Sequence, residues 1–354
     1  MKNPTLSWDF GTGYDFFVCL YVLHEPDEFG LRPSWAAGVR SRLPVEDREI
    51  LEQVQTVVHF PFSWVYALQG TKDSAAVIWA LRQMDPEERI PALAKSSGMP
   101  NEVLNLLEGV ANRGNWDPKE LDSLREQFKA NKLPALTKKA ESILDLWLDL
   151  STFGERYFAA LQTYRDVFFA EEEERIQPAL QVALQIAQQW AKELTFEMMI
   201  ERVSRGVRFE EGLDVAELVM VPSYWITPLV VNKELAEGNK QLFLFGARPE
   251  DDSLVPGAQV PDGMLRTLKT LADPTRLRIL RYLSQETMSP AQLARRLRLR
   301  APTVTHHLSA LRLAGLVYLT LGEKKGKLYT TRFEAISGTF STLEEFLSEN
   351  SEDR

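Results

Sequence analysis

The sequence predicts a mainly α protein with small β elements, in which a large helical N-terminal body precedes a compact C-terminal module of short helices and a hairpin. Three observations lead there. Apolar residues recur at helical spacing through residues 134–170 and 171–206. The β-rich runs are few and short, at residues 216–221, 225–231 and 241–246. Residues 247–263 hold three prolines and two glycines, the composition of a linker, and a segment rich in Lys and Arg follows. The domains expected are therefore an effector or regulatory body over 1–246, a linker over 247–263, a module over 264–335, and a helix with an acidic tail over 336–354.

Within the body, Asp85-Pro86-Glu87-Glu88 and Asp117-Pro118-Lys119-Glu120 read as helix starts. Each has a capping Asp, a Pro whose missing N–H costs nothing at the first position, and acids in the first turn. Pro178 marks a start or a kink in the second helical stretch. The run Glu171-Glu172-Glu173-Glu174 reads as a solvated helix start. All eight Trp, at 8, 35, 64, 79, 116, 147, 190 and 225, lie in the body. They supply a large core or, on a sharper reading, an aromatic-lined effector pocket.

Composition narrows the class. A chain of 354 residues, 44% hydrophobic and 26% charged, suits a multidomain globular protein. Its apolar runs are far shorter than a membrane span, and Met1-Lys2-Asn3-Pro4 opens no signal segment. A lone cysteine, Cys19, fits a reducing cytoplasm. Charge is unevenly placed. Residues 264–335 carry 14 Lys and Arg against 4 Asp and Glu, a net of +10, within a chain whose total is −9. The module alone is suited to a polyanion.

The module can be read residue by residue. Asp273 caps a first helix that has Pro274 at its first position and Leu277, Leu280 and Leu283 as an apolar stripe. Ser289 and Pro290 repeat the device, with Leu293, Ala294 and Leu297 inward and Arg295, Arg296 and Arg298 outward. A third helix, from about Pro302 to Leu313, puts Val304, His307, Leu308 and Leu311 on one side. Residues 316–321 and 327–332 form two strands around the tip Gly322-Glu323-Lys324-Lys325-Gly326. That order is a winged helix-turn-helix, whose third helix enters the major groove. The expected DNA-binding residues are Arg300, Thr303, Thr305, His306, Ser309, Arg312, Lys324, Lys325 and Lys327. The threonine hydroxyls suit phosphate near a helix N-terminus, His306 suits a base edge, and the lysines suit the backbone or minor groove. His307 belongs at the edge of the core.

The stretch Leu271-Ala272-Asp273-Pro274-Thr275-Arg276-Leu277-Arg278-Ile279-Leu280 resembles the opening of ArsR-family transcriptional regulators. Thr303-Val304-Thr305-His306-His307-Leu308, with Leu311 to Val317, resembles their recognition helix and its exit. The resemblance covers about a fifth of the chain. It implies a winged-helix homodimer that binds operator DNA and represses or otherwise regulates promoters, often until an effector releases it. Flanking helices usually build the dimer in that family, and residues 336–349, with Ile336, Phe340, Leu343, Phe346 and Leu347, offer either one such helix or a segment that packs within its own chain. The segments 14–17, 29–35 and 221–225 look like those of larger regulators in the family that carry an additional N-terminal domain.

Metal sensing, common in that family, is not expected here. The module has no cysteine, its only histidines are His306 and His307, and the body adds only Cys19, His24 and His59. No cofactor is expected. No phosphate-binding glycine loop, nucleophile elbow or His-Glu-x-x-His motif is present, so an enzyme is not expected either. The leading function is a DNA-binding regulator, a repressor, whose body senses a small and perhaps apolar molecule. The alternative is a DNA-tethered scaffold whose body docks a protein partner.

Overall fold

The computed structural model describes residues 3–210, 212–235, 239–249, 252, 260–322 and 326–348. The body opens with β1 (Thr5–Trp8) and α1 (Thr12–His24). Tyr14 to Leu20 are all buried, so α1 is apolar on every side and runs through the core. Around it wrap α2 (Pro33–Arg40), α3 (Val45–Gln55), α4 (Phe62–Ala67), α5 (Ser74–Gln83) and α6 (Pro86–Ser97). Next come α7 (Asn101–Arg113), α8 (Pro118–Ala130), α9 (Ala140–Leu148) and α10 (Leu150–Tyr164). The α8 start expected at Asp117 is a full capping box: its carboxylate accepts from Lys119 N and Glu120 N, while Glu120 accepts from Asp117 N. Helix α10 crosses the start of α6 at Gly154, where a Cβ would lie 1.9 Å from the Pro86 carbonyl oxygen, so only glycine permits the approach.

A π-helical turn, Arg165–Phe169, joins α10 to α11 (Ala170–Glu193), and α12 (Phe196–Val203) follows. Pro178 lies inside α11 and does not start a helix. The acidic run at the head of α11 departs from the solvated reading. Glu173 accepts from the Thr12 hydroxyl, Ser74 N (2.8 Å) and the Ser74 hydroxyl (2.5 Å). Glu172 is buried and pairs with Arg175 at 2.6 Å. Packing of α11 against α1 and α5 turns these two carboxylates inward, where each finds donors.

The strands of the body are β2 (Val207–Phe209), β3 (Glu217–Ser223), β4 (Val230–Leu235) and β5 (Lys240–Gly246). One sheet has the order β1-β3-β5-β4, with β4 antiparallel to β5 and the other pairs parallel. Both faces are covered. Val219, Val221, Leu242 and Leu244 face the main helical core; Leu218, Met220, Phe243 and Phe245 face α11 and α12. That two-sided burial explains the unbroken apolar runs of β3 and β5.

Residues 225–229 do not form the strand expected there. The N–H groups of Tyr224 and Trp225 and the Ser223 hydroxyl donate to buried Asp15 of α1, which bends the chain before β4 begins. The linker also starts later than expected: Ala247 N donates to Ser223 O, and Ala247 and Arg248 are buried in the body. The tryptophans serve mainly as core. Trp147 and Trp225 are fully buried and Trp35 stacks on Trp225, whereas Trp79 is 65% exposed. No tryptophan lines the cavity between the body and the C-terminal helices, whereas Trp35 lines a smaller one beside Arg266. No helix among the described residues is long and apolar enough to cross a membrane.

The C-terminal part consists of α13 (Asp262–Leu271), α14 (Pro274–Leu283), α15 (Pro290–Leu297), α16 (Ala301–Leu313), β6 (Val317–Gly322), β7 (Gly326–Thr331) and α17 (Phe333–Ser348). It is not a free appendage. Strand β2 leaves α12 and adds in parallel to β6, so the hairpin sheet has the order β2-β6-β7. Leu319 N donates to Gly206 O, and Glu210 N to Leu321 O, both at 2.9 Å. The body thereby covers an edge of the wing that would otherwise stay unpaired.

Candidate nucleic-acid interface

The site is built on three capped helices. Asp273 accepts from Arg276 N at 2.9 Å and starts α14. This contact and the nearby cations hold its carboxyl below the usual range. Ser289 and Gln292 form a reciprocal capping box on α15. Ile279, Leu280 and Leu283 bury the inner face of α14; Leu277, expected there, is 49% exposed, because the buried stripe runs one residue away from it. Leu293, Ala294 and Leu297 of α15 pack with Val304, Leu308 and Leu311 of α16, as their spacing predicts.

The turn between α15 and α16 is closed by Arg298 in the left-handed region (φ 56°), with Leu299 N donating to Ala294 O. Arg300 then precedes the first turn of α16 as its N-cap, with no side-chain cap bond. The N–H groups of this first turn have no intrahelical acceptor, and no acid lies there, so the positive end of the helix faces solvent beside Arg300. Thr303, Thr305, His306 and Ser309 are exposed on the outer side of α16. The Thr305 hydroxyl donates back to Ala301 O at 3.1 Å, leaving its oxygen as an acceptor. His307 is half-buried against α14, and burial lowers its pKa. Helix α16 ends at Gly315, whose φ of 68° lets Leu316 N bond to Leu311 O before the chain enters β6.

The structure brings Arg300, Thr303, Thr305, His306 and Ser309 to one solvent face, and leaves Lys327 exposed on β7. Lys324 and Lys325 lie outside the described residues. Arg312 does not belong to this face. It is 7% exposed, and its guanidinium donates to Ser204 O (2.7 Å) and Arg205 O (2.9 Å) at the end of α12. Four residues beyond Leu308, it lies on the buried side of α16, and the unpaired carbonyls of a helix C-terminus attract a cation there. Burial and the neighbouring Arg332 and Arg205 pull its pKa down to about 10, so it remains charged at neutral pH.

Among the basic residues of α15 and its cap, Arg296 is taken up by Glu286 at 2.5 Å, whereas Arg295 and Arg298 are exposed with no carboxylate in ion-pair contact among the described residues. Their sequence signal is the outward-facing basic run itself, and the turn leaves both Arg298 and Arg300 exposed. No cluster of three or more His, Cys, Asp or Glu among the described residues is placed to hold a metal.

Three short helices, the third presenting small polar side chains and flanked by arginines, followed by a wing, define a helix-turn-helix module. Residues 271–319 match the family model of a helix-turn-helix domain, which supports DNA binding and transcription regulation as the class of this protein. No curated protein and no solved structure matches the chain.

Proposed function

We propose that the protein is a sequence-specific transcriptional repressor of the ArsR type, not an enzyme, which binds double-stranded operator DNA as a cytoplasmic homodimer and responds to a small molecule through its N-terminal body. The observation that carries this is the outer face of α16, where Thr303, Thr305, His306 and Ser309 stand exposed beside Arg300. Side chains of this size and polarity reach base edges, and Arg300 with the α16 N-terminus suits a phosphate. Helix α17 supports the homodimer: none of its residues is buried, and Phe340 and Leu347 are 49% and 72% exposed.

The test is fluorescence anisotropy on the DNA upstream of the protein's own gene, against scrambled DNA, across a salt series. The wild type should bind the first more tightly, with a steep salt slope. Arg300→Ala should weaken binding to every sequence and lower that slope by about one unit. His306→Ala should change the preference among sequences. Unchanged affinity and preference in both variants would place the reading surface elsewhere.

A further inference from the structure

We propose that the cavity between the body and the winged helix binds a small organic anion, a carboxylate or phosphate monoester with a compact apolar part. This rests on the reading of the protein as an effector-responsive regulator and names the effector's chemistry. The cavity measures about 450 Å³, within the usual size of small-molecule sites. Its walls come from Arg248 and Thr227 of the body, Met264 and Arg266 of α13, Leu313 at the end of α16, and Thr339 of α17.

The charge balance of the walls points to the ligand. Three carboxylates line the cavity, and each is already engaged. Asp252 accepts from the Tyr224 hydroxyl (2.5 Å) and Arg175 (3.3 Å), Asp262 pairs with Arg32 (3.1 Å), and Glu334 accepts from Arg332 (3.1 Å) and the Tyr318 hydroxyl. Two of the lining guanidiniums make no ion pair among the described residues, although Asp252 and Asp262 lie near enough to favour their charges. Arg248 is 6% exposed; its Nη2 donates to Thr227 O at 3.2 Å, but its buried Nη1 meets no acceptor. Arg266 lies over Gly30, makes no hydrogen bond among the described residues, and its charge disfavours that of Arg248. Burial together with these cations pulls Arg248 down to about 10. A buried guanidinium with an idle donor is costly unless an anion completes it. Forked N–H groups match a carboxylate or phosphate. The Thr267 and Thr339 hydroxyls donate to helix carbonyls at 3.0 and 2.8 Å, which leaves Arg248 and Arg266 as the charged donors for a ligand. Met264 and Leu313 supply apolar contact for the remainder of the molecule.

The position suggests the consequence. The cavity touches the end of the reading helix, both flanking helices and the body at once, so its occupant changes how α16 is held.

The probes are benzoate and phenyl phosphate, with benzyl alcohol as the uncharged control, in thermal unfolding of the full chain at fixed ionic strength. At least one anion should raise Tm saturably by about 3 °C or more, because a ligand bound only by the native state stabilises it. Which one does so separates carboxylate from phosphate. Benzyl alcohol should give no shift, and Arg248→Gln and Arg266→Gln should lose the response. Arg266 is only partly buried, so Arg266→Gln keeps the test valid if Arg248→Gln fails to fold. No shift from either anion, an equal shift from benzyl alcohol, or a wild-type response in Arg266→Gln would overturn the proposal. Operator binding without added anion is measured separately. Operator binding without an anion response removes this inference alone; an anion response without operator binding removes the regulator reading and leaves the site.

Discussion

Arg312→Met should destabilise the protein by about 3–4 kcal/mol and separate its unfolding into two transitions. The guanidinium makes two hydrogen bonds of 2.7 and 2.9 Å to the carbonyls that end α12. A hydrogen bond to a charged group contributes about 1.5–3 kcal/mol, and a buried acceptor left unpaired costs a further ~1–3 kcal/mol, which falls on Ser204 O because Arg205 O also accepts from Arg332 at 3.4 Å. Removing a buried charge refunds part of its desolvation, and an apolar replacement is nearly neutral when both partners are replaced. Here the partners are backbone carbonyls, which no substitution removes, so the loss dominates. With the bolt gone, β2–β6 pairing remains the main backbone tie between body and module. Calorimetry of the variant beside the wild type reads both effects; a single transition at an unchanged Tm would contradict them. The variant also decides the DNA question, because its salt slope on operator DNA should match the wild type. A fall of about one unit would return Arg312 to the DNA contacts.

Asp15→Ala should cost about 3 kcal/mol. The Asp15 carboxylate is fully buried and accepts from the Ser223 hydroxyl (2.7 Å), Tyr224 N (3.1 Å) and Trp225 N (2.9 Å). Alanine leaves three buried donors without an acceptor and frees the bend between β3 and β4. The same group makes stability depend on pH. Burial raises its pKa from 3.8 to about 6, against the lowering effect of its three donors. Between those values the folded protein holds a proton that the unfolded chain has released. Stability from this group therefore falls as pH rises from about 4 to 6, by up to about 3 kcal/mol, and is level above that. Paired carboxylates with lowered pKa give the opposite trend, so the contribution is isolated by the difference from Asp15→Asn. In urea unfolding, the asparagine variant should gain relative to the wild type from pH 4 to pH 6. Parallel pH profiles would show that Asp15 keeps an ordinary pKa in the fold.

Local signals made much of the module legible. Asp273, Ser289, the leucine spacing of α15 and the Gly315 exit each act within a few residues, so their chemistry can be read along the chain. The same holds for Asp117 at the start of α8. Periodicity was less reliable where the face of a helix is set by distant neighbours. Leu277 fits an apolar stripe yet is exposed, and Arg312 fits an exposed basic position yet is buried. The acidic run at 171–174 likewise looks solvated until α1 and α5 supply the donors that hold Glu173.

By itself, the sequence determined that this protein is mainly helical and that its basic end is a helix-turn-helix, because caps, turns and helical spacing are local properties and charge is additive along the chain. Only the tertiary structure decided how the two parts are joined. Strand β2 is three residues that find their partner more than a hundred positions away. The Arg312 bolt, the Asp15 clamp and the cavity walls at Arg248 and Arg266 likewise come from separate stretches. Their chemistry depends on burial and on which acceptors are already taken, and both arise only when the whole chain is packed.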